Sequence, residues 1–286
     1  MKRLGIALGG GGLKGLAHIG VLQVLQENRI PIAQISGTSI GSIIASLYAA
    51  GISPYKMEEI ALNLKVSDYM DYNFTGILKY FCGLYMPKIN GGFSGLIKGK
   101  KLERLVAKLT QGKNLSEVNI PLAIIACDID TGKEVVFSNY DLSLSDTQVL
   151  VTKARLSAAA RASSSIPVTF IPYKFEEMQL VDGGIVDIVP VKAPYLMGAD
   201  YILAVNLGQE VYSKKVRGIF QIINRTLSIL VFDTSKENQE LLGDMIIFPS
   251  VTNIDITDIN KADYIIRAGR RAMKKEINNL KRALNM

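Results

Sequence analysis

Short apolar runs alternate along this sequence with longer segments in which apolar residues recur at helical spacing. The short runs predict buried strands at residues 4–8, 32–36, 122–127, 134–137, 179–181, 201–207 and 246–248. The longer segments predict helices at residues 16–26, 40–47, 102–109 and 149–162. Buried strands that alternate with helices are typical of α/β proteins. We therefore predict a three-layer α/β/α fold with a mostly parallel central sheet.

The segment after residue 206 has a different pattern, with two broad apolar stripes at helical spacing. The first runs through residues 216–231, and the second lies on one face of a final helix, at Ile266, Met273, Ile277, Leu280 and Leu284. From Tyr264 to Met286 the chain carries seven Lys or Arg residues against one Glu, which leaves the rest of the molecule nearly neutral. We expect the final helix to pack its apolar face on the domain. The alternative is a helix lying on an anionic membrane surface.

Length and composition bound the remaining possibilities. We expect one domain over residues 1–286, with a core at 4–206 and a helical extension at 207–286. Four consecutive glycines and Lys14 interrupt the first apolar stretch, so we predict a strand there and not a targeting segment. No apolar run reaches the roughly 18 uncharged residues of a membrane span, so we expect a cytoplasmic protein, with peripheral membrane association as the alternative.

The chemistry-bearing residues exclude several classes of site. One histidine and two cysteines argue against a metal site and a disulfide framework, and we expect no cofactor. The basic tail lacks the interleaved aromatic residues of a nucleic-acid-binding module, so we expect no nucleic-acid partner.

Residues 37–41 (Gly-Thr-Ser-Ile-Gly) lie between a predicted strand and a predicted helix. This pattern and context are typical of a nucleophile elbow, in which the serine sits on a sharp turn with its hydroxyl above the sheet. Gly37 and Gly41 lack a Cβ, so the strand and the helix can approach each other on either side of Ser39. The alternative is an ordinary loop that contains a serine.

The glycine loop at residues 9–15 allows two interpretations. Its glycines at 10, 12 and 15 match a dinucleotide fingerprint, but that site needs an acidic residue about 20 positions later, and none occurs between Glu27 and Glu58. The second interpretation is an oxyanion hole, in which glycine amides and a helix N-terminus stabilise a developing negative charge. Loops after neighbouring parallel strands lie at one sheet edge, so this loop would face Ser39.

The base that would activate Ser39 is open on the residues alone. His18, the single histidine, lies in the middle of an apolar helix, and we expect a hydrogen-bonded core histidine there. A carboxylate is then the simplest base, and candidates follow two predicted strands: Asp128 and Asp130 after one, Asp182 after the other. Asp130 also fits a hairpin turn at Thr131-Gly132.

Three motifs in this order resemble those of bacterial patatin-like phospholipases. They are Gly10-Gly11-Gly12-Leu13-Lys14-Gly15, Gly37-Thr38-Ser39-Ile40-Gly41 and Asp182-Gly183-Gly184, and the segment Ala162-Ser163-Ser164-Ser165-Ile166-Pro167 resembles the one that the family places before its aspartate. The resemblance covers roughly residues 4–206 and implies a serine acyl hydrolase that cleaves carboxylic esters of acyl lipids. It implies Ser39 as nucleophile, Asp182 as base and the amides of Gly10, Gly11 and Gly12 as oxyanion hole. The family's usual arginine in the loop is Lys14 here, which keeps the charge but loses the bidentate fork.

Residues 68–101 are rich in aromatic residues and glycines without a clean period, and we expect a cap over an acyl-binding cleft or a packed insertion. Two other functions stay open: a dinucleotide- or phosphate-binding enzyme that uses the glycine loop, and a non-catalytic lipid-binding module.

Overall fold

The structure is a computed structural model that describes most of the chain. It covers residues 1–75, 95–208, 215–218, 221–223, 225–226, 229–230, 239–252 and 254–286. Most of the cap expected at 68–101 and part of the apolar stripe expected at 216–231 lie outside the described residues.

The core is a sheet that contains nine strands in the described ranges. The strands are β1 (Leu4–Leu8), β2 (Ile32–Thr38), β3 (Leu122–Asp128), β4 (Glu134–Ser138), β5 (Gln148–Val151), β6 (Tyr173–Phe175), β7 (Met178–Asp182), β8 (Tyr201–Val205) and β9 (Met245–Ile247). Their order is β5-β4-β3-β2-β1-β8-β9, and β7 pairs with both β3 and β6. The pairings around β1, β2, β8 and β9 are parallel, whereas β3–β4, β3–β7 and β6–β7 are antiparallel.

Eight helices whose bounds are described in full accompany the sheet. They are α1 (Ala17–Glu27), α2 (Ile40–Ala49), α3 (Pro54–Asn63), α4 (Val66–Tyr69), α5 (Lys100–Leu109), α6 (Leu156–Ser163), α7 (Lys192–Leu196) and α8 (Ala262–Ala283). A 3-10 turn, Gly12–Leu16, precedes α1 and includes Leu16, the first residue of the helix predicted at 16–26.

The two faces of the sheet are covered separately. Leu122, Ile124 and Ala126 of β3 pack in the core cluster of α1, α2, α6 and α8, whereas Ala123 and Ile125 pack in a second cluster with α7. Alternate residues of a strand point to opposite faces, so this division shows helices on both sides of the sheet. The prediction of a three-layer α/β/α fold with a mostly parallel sheet is confirmed.

One predicted helix is wrong in its first part. Residues 149–151 belong to strand β5, which pairs in parallel with β4, and helix α6 begins only at Leu156. The apolar residues of 148–151 fit a strand and a helix equally well over so short a stretch. Pairing with the edge of β4 decides between them, which local periodicity does not reveal.

The final helix α8 packs its apolar face on α1. Ile265, Ile266, Met273 and Leu280 are buried. A Cβ at Gly269 would overlap the carbonyl oxygen of Ala17. The expectation that this face packs on the domain is confirmed. Because the apolar face is buried, it is not free to enter a membrane. The side of α8 that faces solvent carries exposed basic residues. None of the helices in the described ranges combines the length and apolarity needed to cross a bilayer.

We expect Gly269→Ala to destabilise the protein by about 1–3 kcal/mol, because the new methyl group would collide with the backbone of α1. The sign is informative, since alanine is otherwise favoured over glycine within helices by about 1 kcal/mol. Urea-induced unfolding measures the effect, with Asn278→Ala on the exposed side of α8 as the control. Equal or greater stability of the Gly269→Ala protein would contradict the close packing.

Candidate active site

Ser39 occupies the turn between β2 and α2 in a strained backbone conformation. Its φ of 55° and ψ of −126° are rare for a residue with a side chain. A Cβ at Gly37 would fall against the backbone of Gly41 and Ser42, and one at Gly41 would overlap the carbonyl of Leu8. Glycine at both positions therefore allows β1, β2 and α2 to converge on the serine. This is the geometry of a nucleophile elbow.

Hydrogen bonds hold the Ser39 backbone from two helices. The amide of Ser39 donates to Oγ of Ser163, at the end of α6, over 2.9 Å. Its carbonyl accepts from the amide of Ser42 at 2.9 Å and from the Ser42 hydroxyl at 2.5 Å. These contacts offset the cost of the strained turn, which is on the order of 1–3 kcal/mol.

Asp182 lies directly beside this serine. The Ser39 hydroxyl donates to Oδ2 of Asp182 over 2.5 Å, and the amide of Gly184 donates to Oδ1 over 2.8 Å. Gly183 is needed between them, because a Cβ there would overlap the carbonyl of Ile125 in β3. Both carboxylate oxygens thus have a donor, and the carboxyl is fixed facing the hydroxyl.

Sheet register explains how residues 143 positions apart come together. Strand β2 pairs with the first part of β3, up to Thr38 opposite Ile125. Strand β7 pairs with the second part, and Asp182 lies opposite Ala126. The two strands approach from opposite directions along β3 and end at adjacent positions, so their last side chains meet.

Burial raises the pKa of Asp182 from its ordinary value near 3.8 to about 6, although the bonds from the Ser39 hydroxyl and the Gly184 amide act in the lowering direction. A carboxyl whose pKa lies closer to neutrality is a better proton acceptor at physiological pH than an ordinary aspartate.

The other two candidate aspartates serve the hairpin between β3 and β4. Asp128 accepts from the hydroxyl of Thr131 at 2.6 Å and from the amide of Asp130 at 3.3 Å. Asp130 accepts from the side-chain amide of Gln179 at 3.0 Å. The structure therefore brings Asp182 to Ser39, whereas Asp128 has its partners in the turn and Asp130 has its partner in β7.

His18 is a core histidine, as the sequence predicts. Its side chain is fully buried, and Nε2 donates to the carbonyl of Gly9 over 2.7 Å. Burial lowers its pKa to about 4, so the ring is neutral at physiological pH. Its bond to Gly9 anchors the start of the glycine loop.

The glycine loop lies against Ser39, but its amides are not equivalent. A Cβ at Gly10 would approach Cβ of Ser39 at 3.2 Å, so the two segments face each other. The amide of Gly10 donates to the carbonyl of Ile188 at 2.9 Å and is engaged. In the described part of the chain the amides of Gly11 and Gly12 have no such acceptor, so they are the loop donors that a ligand can use.

The supporting residues of the loop have packing roles. Gly15 lies against the side chain of Ile40, where a Cβ would collide with it, and so seats the 3-10 turn on α2. Lys14 is half-buried, and burial together with the charge of Arg225 lowers its pKa.

Sequence reasoning missed the contribution of the three serines at 163–165. Besides the bond from the Ser39 amide to Ser163, the carbonyl of Ser165 accepts the amide of Asp182 at 3.0 Å. These serines lack flanking glycines and so carry no elbow signal. Their place at the end of a helix just before the aspartate motif is the only hint in the sequence.

An apolar cavity that Ser39 and Gly12 help to line runs between three helices. Each helical segment contributes four apolar residues at spacings i, i+3, i+4 and i+7. They are Ile40, Ile43, Ile44 and Leu47 of α2; Met57, Ile60 and Ala61 of α3 with Leu64 directly after its end; and Leu102, Leu105, Val106 and Leu109 of α5. The apolar stripe of α2 runs along the helix axis from Ile40, next to Ser39, to Leu47. The cavity therefore extends along α2 away from the serine.

Comparison with known proteins gives a family match over most of the chain. The family model described as patatin-like phospholipase matches residues 6–195. Relatives include an uncharacterised NTE family protein of Mycobacterium tuberculosis (28% identical, covering 72% of this chain and 49% of that protein). Two others are lysophospholipase NTE1 of Mycosarcoma maydis (28%, 78% and 11%) and human patatin-like phospholipase domain-containing protein 6 (26%, 72% and 13%). The chain thus spans about half the length of the first relative and much less of the other two.

Solved structures support the fold assignment. VipD of Legionella pneumophila superposes with a TM-score of 0.51 at 15% identity, over 97% of this chain and 67% of that one. ExoU of Pseudomonas aeruginosa, in complex with SpcU, gives 0.50 at 15% identity, over 100% and 53%. At this identity the likeness concerns the fold alone.

We expect Asp182→Asn to raise the free energy of unfolding at pH 8 by roughly 1–3 kcal/mol, because it removes a carboxylate that burial disfavours. A raised pKa in the folded state means that native stability falls as pH rises from about 4 through 6. The advantage of the variant should therefore shrink as pH is lowered toward 4. Urea unfolding of both proteins across this range tests it, and a difference independent of pH would contradict the raised pKa.

Proposed function

The chain belongs to the patatin-like phospholipase family, and from that premise we propose that it hydrolyses carboxylic ester bonds of acyl lipids through a Ser39–Asp182 dyad. The observation that carries the proposal is the 2.5 Å hydrogen bond from the hydroxyl of a strained serine to a buried carboxyl. A nucleophile and a base within hydrogen-bond reach are the minimum that covalent acyl transfer requires.

The first half of the reaction forms an acyl-enzyme. Asp182 accepts the hydroxyl proton as Oγ of Ser39 attacks the ester carbonyl carbon, and the carbonyl oxygen takes the negative charge. The free amides of Gly11 and Gly12 stabilise this oxyanion. The carbon–oxygen bond to the leaving alcohol then breaks, and Asp182 returns the proton to the alcohol oxygen.

The second half releases the fatty acid. Water gives a proton to Asp182 and attacks the acyl carbonyl. The tetrahedral adduct collapses, the bond to Oγ breaks, and the proton returns to Ser39. One ester and one water yield one acid and one alcohol, with no cofactor required.

The apolar cavity supports an acyl substrate. Its walls are the three helical stripes described above, and the nucleophile Ser39 is among its lining residues. From Ser39 to Leu47 the α2 stripe is about 12 Å long at 1.5 Å per residue. An alkyl chain of about eight carbons or more would lie along it, with the ester at Ser39.

The alternatives have less support. A dinucleotide enzyme would need an acidic residue at the end of β2, where the chain has Thr38 and Ser39. A non-catalytic lipid-binding module has no observation in its favour, since a nucleophile and a base are paired in the site. Contact of exposed basic residues of α8 with anionic lipid is compatible with the hydrolase and adds to it.

Labelling with a fluorophosphonate probe tests the dyad. We expect Ser39→Ala to abolish labelling and Asp182→Asn to slow it by about 10²-fold or more, because the serine then lacks its base. Asp128→Asn is the matched control, since its carboxyl serves the hairpin, and it should label at the native rate. Native labelling of the Ser39→Ala protein would refute the assignment. If Asp128→Asn were slow and Asp182→Asn normal, the base would be misassigned.

The cavity can be tested through chain length. Leu47→Phe enlarges a side chain far along the α2 stripe, so we expect about tenfold slower hydrolysis of a C16 nitrophenyl ester and unchanged hydrolysis of the C4 ester. Leu62→Phe, on the exposed side of α3, is the control and should change neither. Parallel loss on both esters with Leu47→Phe would show that the cavity does not receive the acyl chain.

A further inference from the structure

Three consecutive serines, Ser163 to Ser165, lie at the C-terminal end of α6 beside Ser39 and Asp182. Two of them accept hydrogen bonds from these residues. Oγ of Ser163 accepts the amide of Ser39 at 2.9 Å, and the carbonyl of Ser165 accepts the amide of Asp182 at 3.0 Å. Ser164 lies between them in the chain, so its side chain starts from a backbone held against both halves of the dyad.

The Ser164 hydroxyl is buried and has no hydrogen-bond partner among the described residues. The residue is 6% exposed, and its Oγ is fully covered. Buried hydroxyls in folded proteins are almost always paired. A serine at a helix end commonly donates to the carbonyl four residues back, and the Ser165 hydroxyl does so to Arg161 at 2.9 Å. Ser164 forgoes this local bond.

Ser164 belongs to the wall of the cavity that Ser39 and Gly12 also line. The rest of the lining is apolar except for Tyr69, whose hydroxyl donates to the carbonyl of Ile256. An acyl chain offers no acceptor to a hydroxyl, whereas the ester group of an acyl lipid does. The donor therefore sits where the polar part of such a substrate would enter.

A buried cation fixes the end of α6. Arg161 is 2% exposed, and its guanidinium donates to the carbonyls of Lys98 at 2.9 Å and Ile171 at 2.8 Å and to Oγ of Ser165. It also lies over the ring of Phe170. Arg161 thus links the segments that contain Lys98 and Ile171 to the end of α6. These bonds fix the position of Ser164 before any ligand binds.

We propose that the Ser164 hydroxyl is a substrate-contacting group, which donates a hydrogen bond to an oxygen of the ester bound at Ser39. The inference rests on the proposed hydrolase function and adds a residue to it. Among the described residues the covered hydroxyl has no acceptor, and rotation about its Cα–Cβ bond toward the cavity would let a bound ester supply one. If the bond goes to the oxygen that gains charge in the tetrahedral adduct, its removal should lower kcat. If the bond is equally strong to the bound ester and to the adduct, its removal should raise KM.

Ser164→Ala tests the proposal, with Ser46→Ala as matched control. The Ser46 hydroxyl is also buried and without a partner in the described residues, but Ser46 lies outside the lining of the cavity. Both variants should melt at or above the native temperature, because each removes an unpaired buried hydroxyl. On a nitrophenyl acyl ester, Ser164→Ala should reduce kcat/KM about tenfold or more, and Ser46→Ala should leave it unchanged.

Ser39→Ala in the same assay separates the two proposals. Retained hydrolysis by that variant would refute the hydrolase mechanism itself. If Ser39→Ala is inactive while Ser164→Ala and Ser46→Ala both match the native kcat and KM, the dyad stands and the role given to Ser164 is refuted. A third outcome would also count against a substrate contact. In it, Ser164→Ala loses activity while Ser164→Ala and Ser46→Ala melt at the same lowered temperature.

Discussion

The site depends on strand β3 being shared between two partners. Strand β2 occupies one edge of β3 as far as Ile125, and β7 continues along the same edge from Ala126 in the opposite direction. Serine and aspartate are therefore brought together by backbone hydrogen bonds of the sheet. Reactive groups placed on such elements are held more precisely than groups on loops. The glycines at 37, 41 and 183 matter because they let backbone pass where the strands and α2 converge.

The arrangement has features that oppose stability and suit reactivity. Ser39 holds an unfavourable backbone conformation, the Asp182 carboxylate is buried, and the hydroxyl of Ser164 has no partner in the described part of the chain. Each costs free energy in the folded protein, and together they lie within one small region. The rest of the fold offsets this cost, through the core between α1, α2 and α8 and through His18, whose bond to Gly9 anchors the glycine loop. Concentrated local cost of this kind is typical of a reactive centre.

The sequence predicts those parts of the site that are formed by a few consecutive residues. The elbow around Ser39 and the glycine loop are each contained in a few residues between a strand and a helix, so their spacing was sufficient. The residues alone do not predict which of Asp182 and Asp128 lies beside Ser39, because this follows from the register of β7 on β3. The resemblance to the family supplies that prediction. The engagement of the Gly10 amide by Ile188 and the contact of Ser163 with Ser39 also join distant segments. For the same reason the sequence pattern predicts a helix where the fold has β5. This segment is a strand because it pairs with β4.

The packing of α8 on α1 bears on where the folding unit ends. The family match stops at residue 195, yet β8 pairs with β1 along its whole length, and Gly269 of α8 touches the carbonyl of Ala17 at the start of α1. That start directly follows the turn that carries Gly12. A boundary drawn from sequence similarity would therefore divide the sheet and remove the support behind the loop that faces Ser39. For this chain, the segment shared with relatives is shorter than the segment whose packing holds Ser39 beside Asp182.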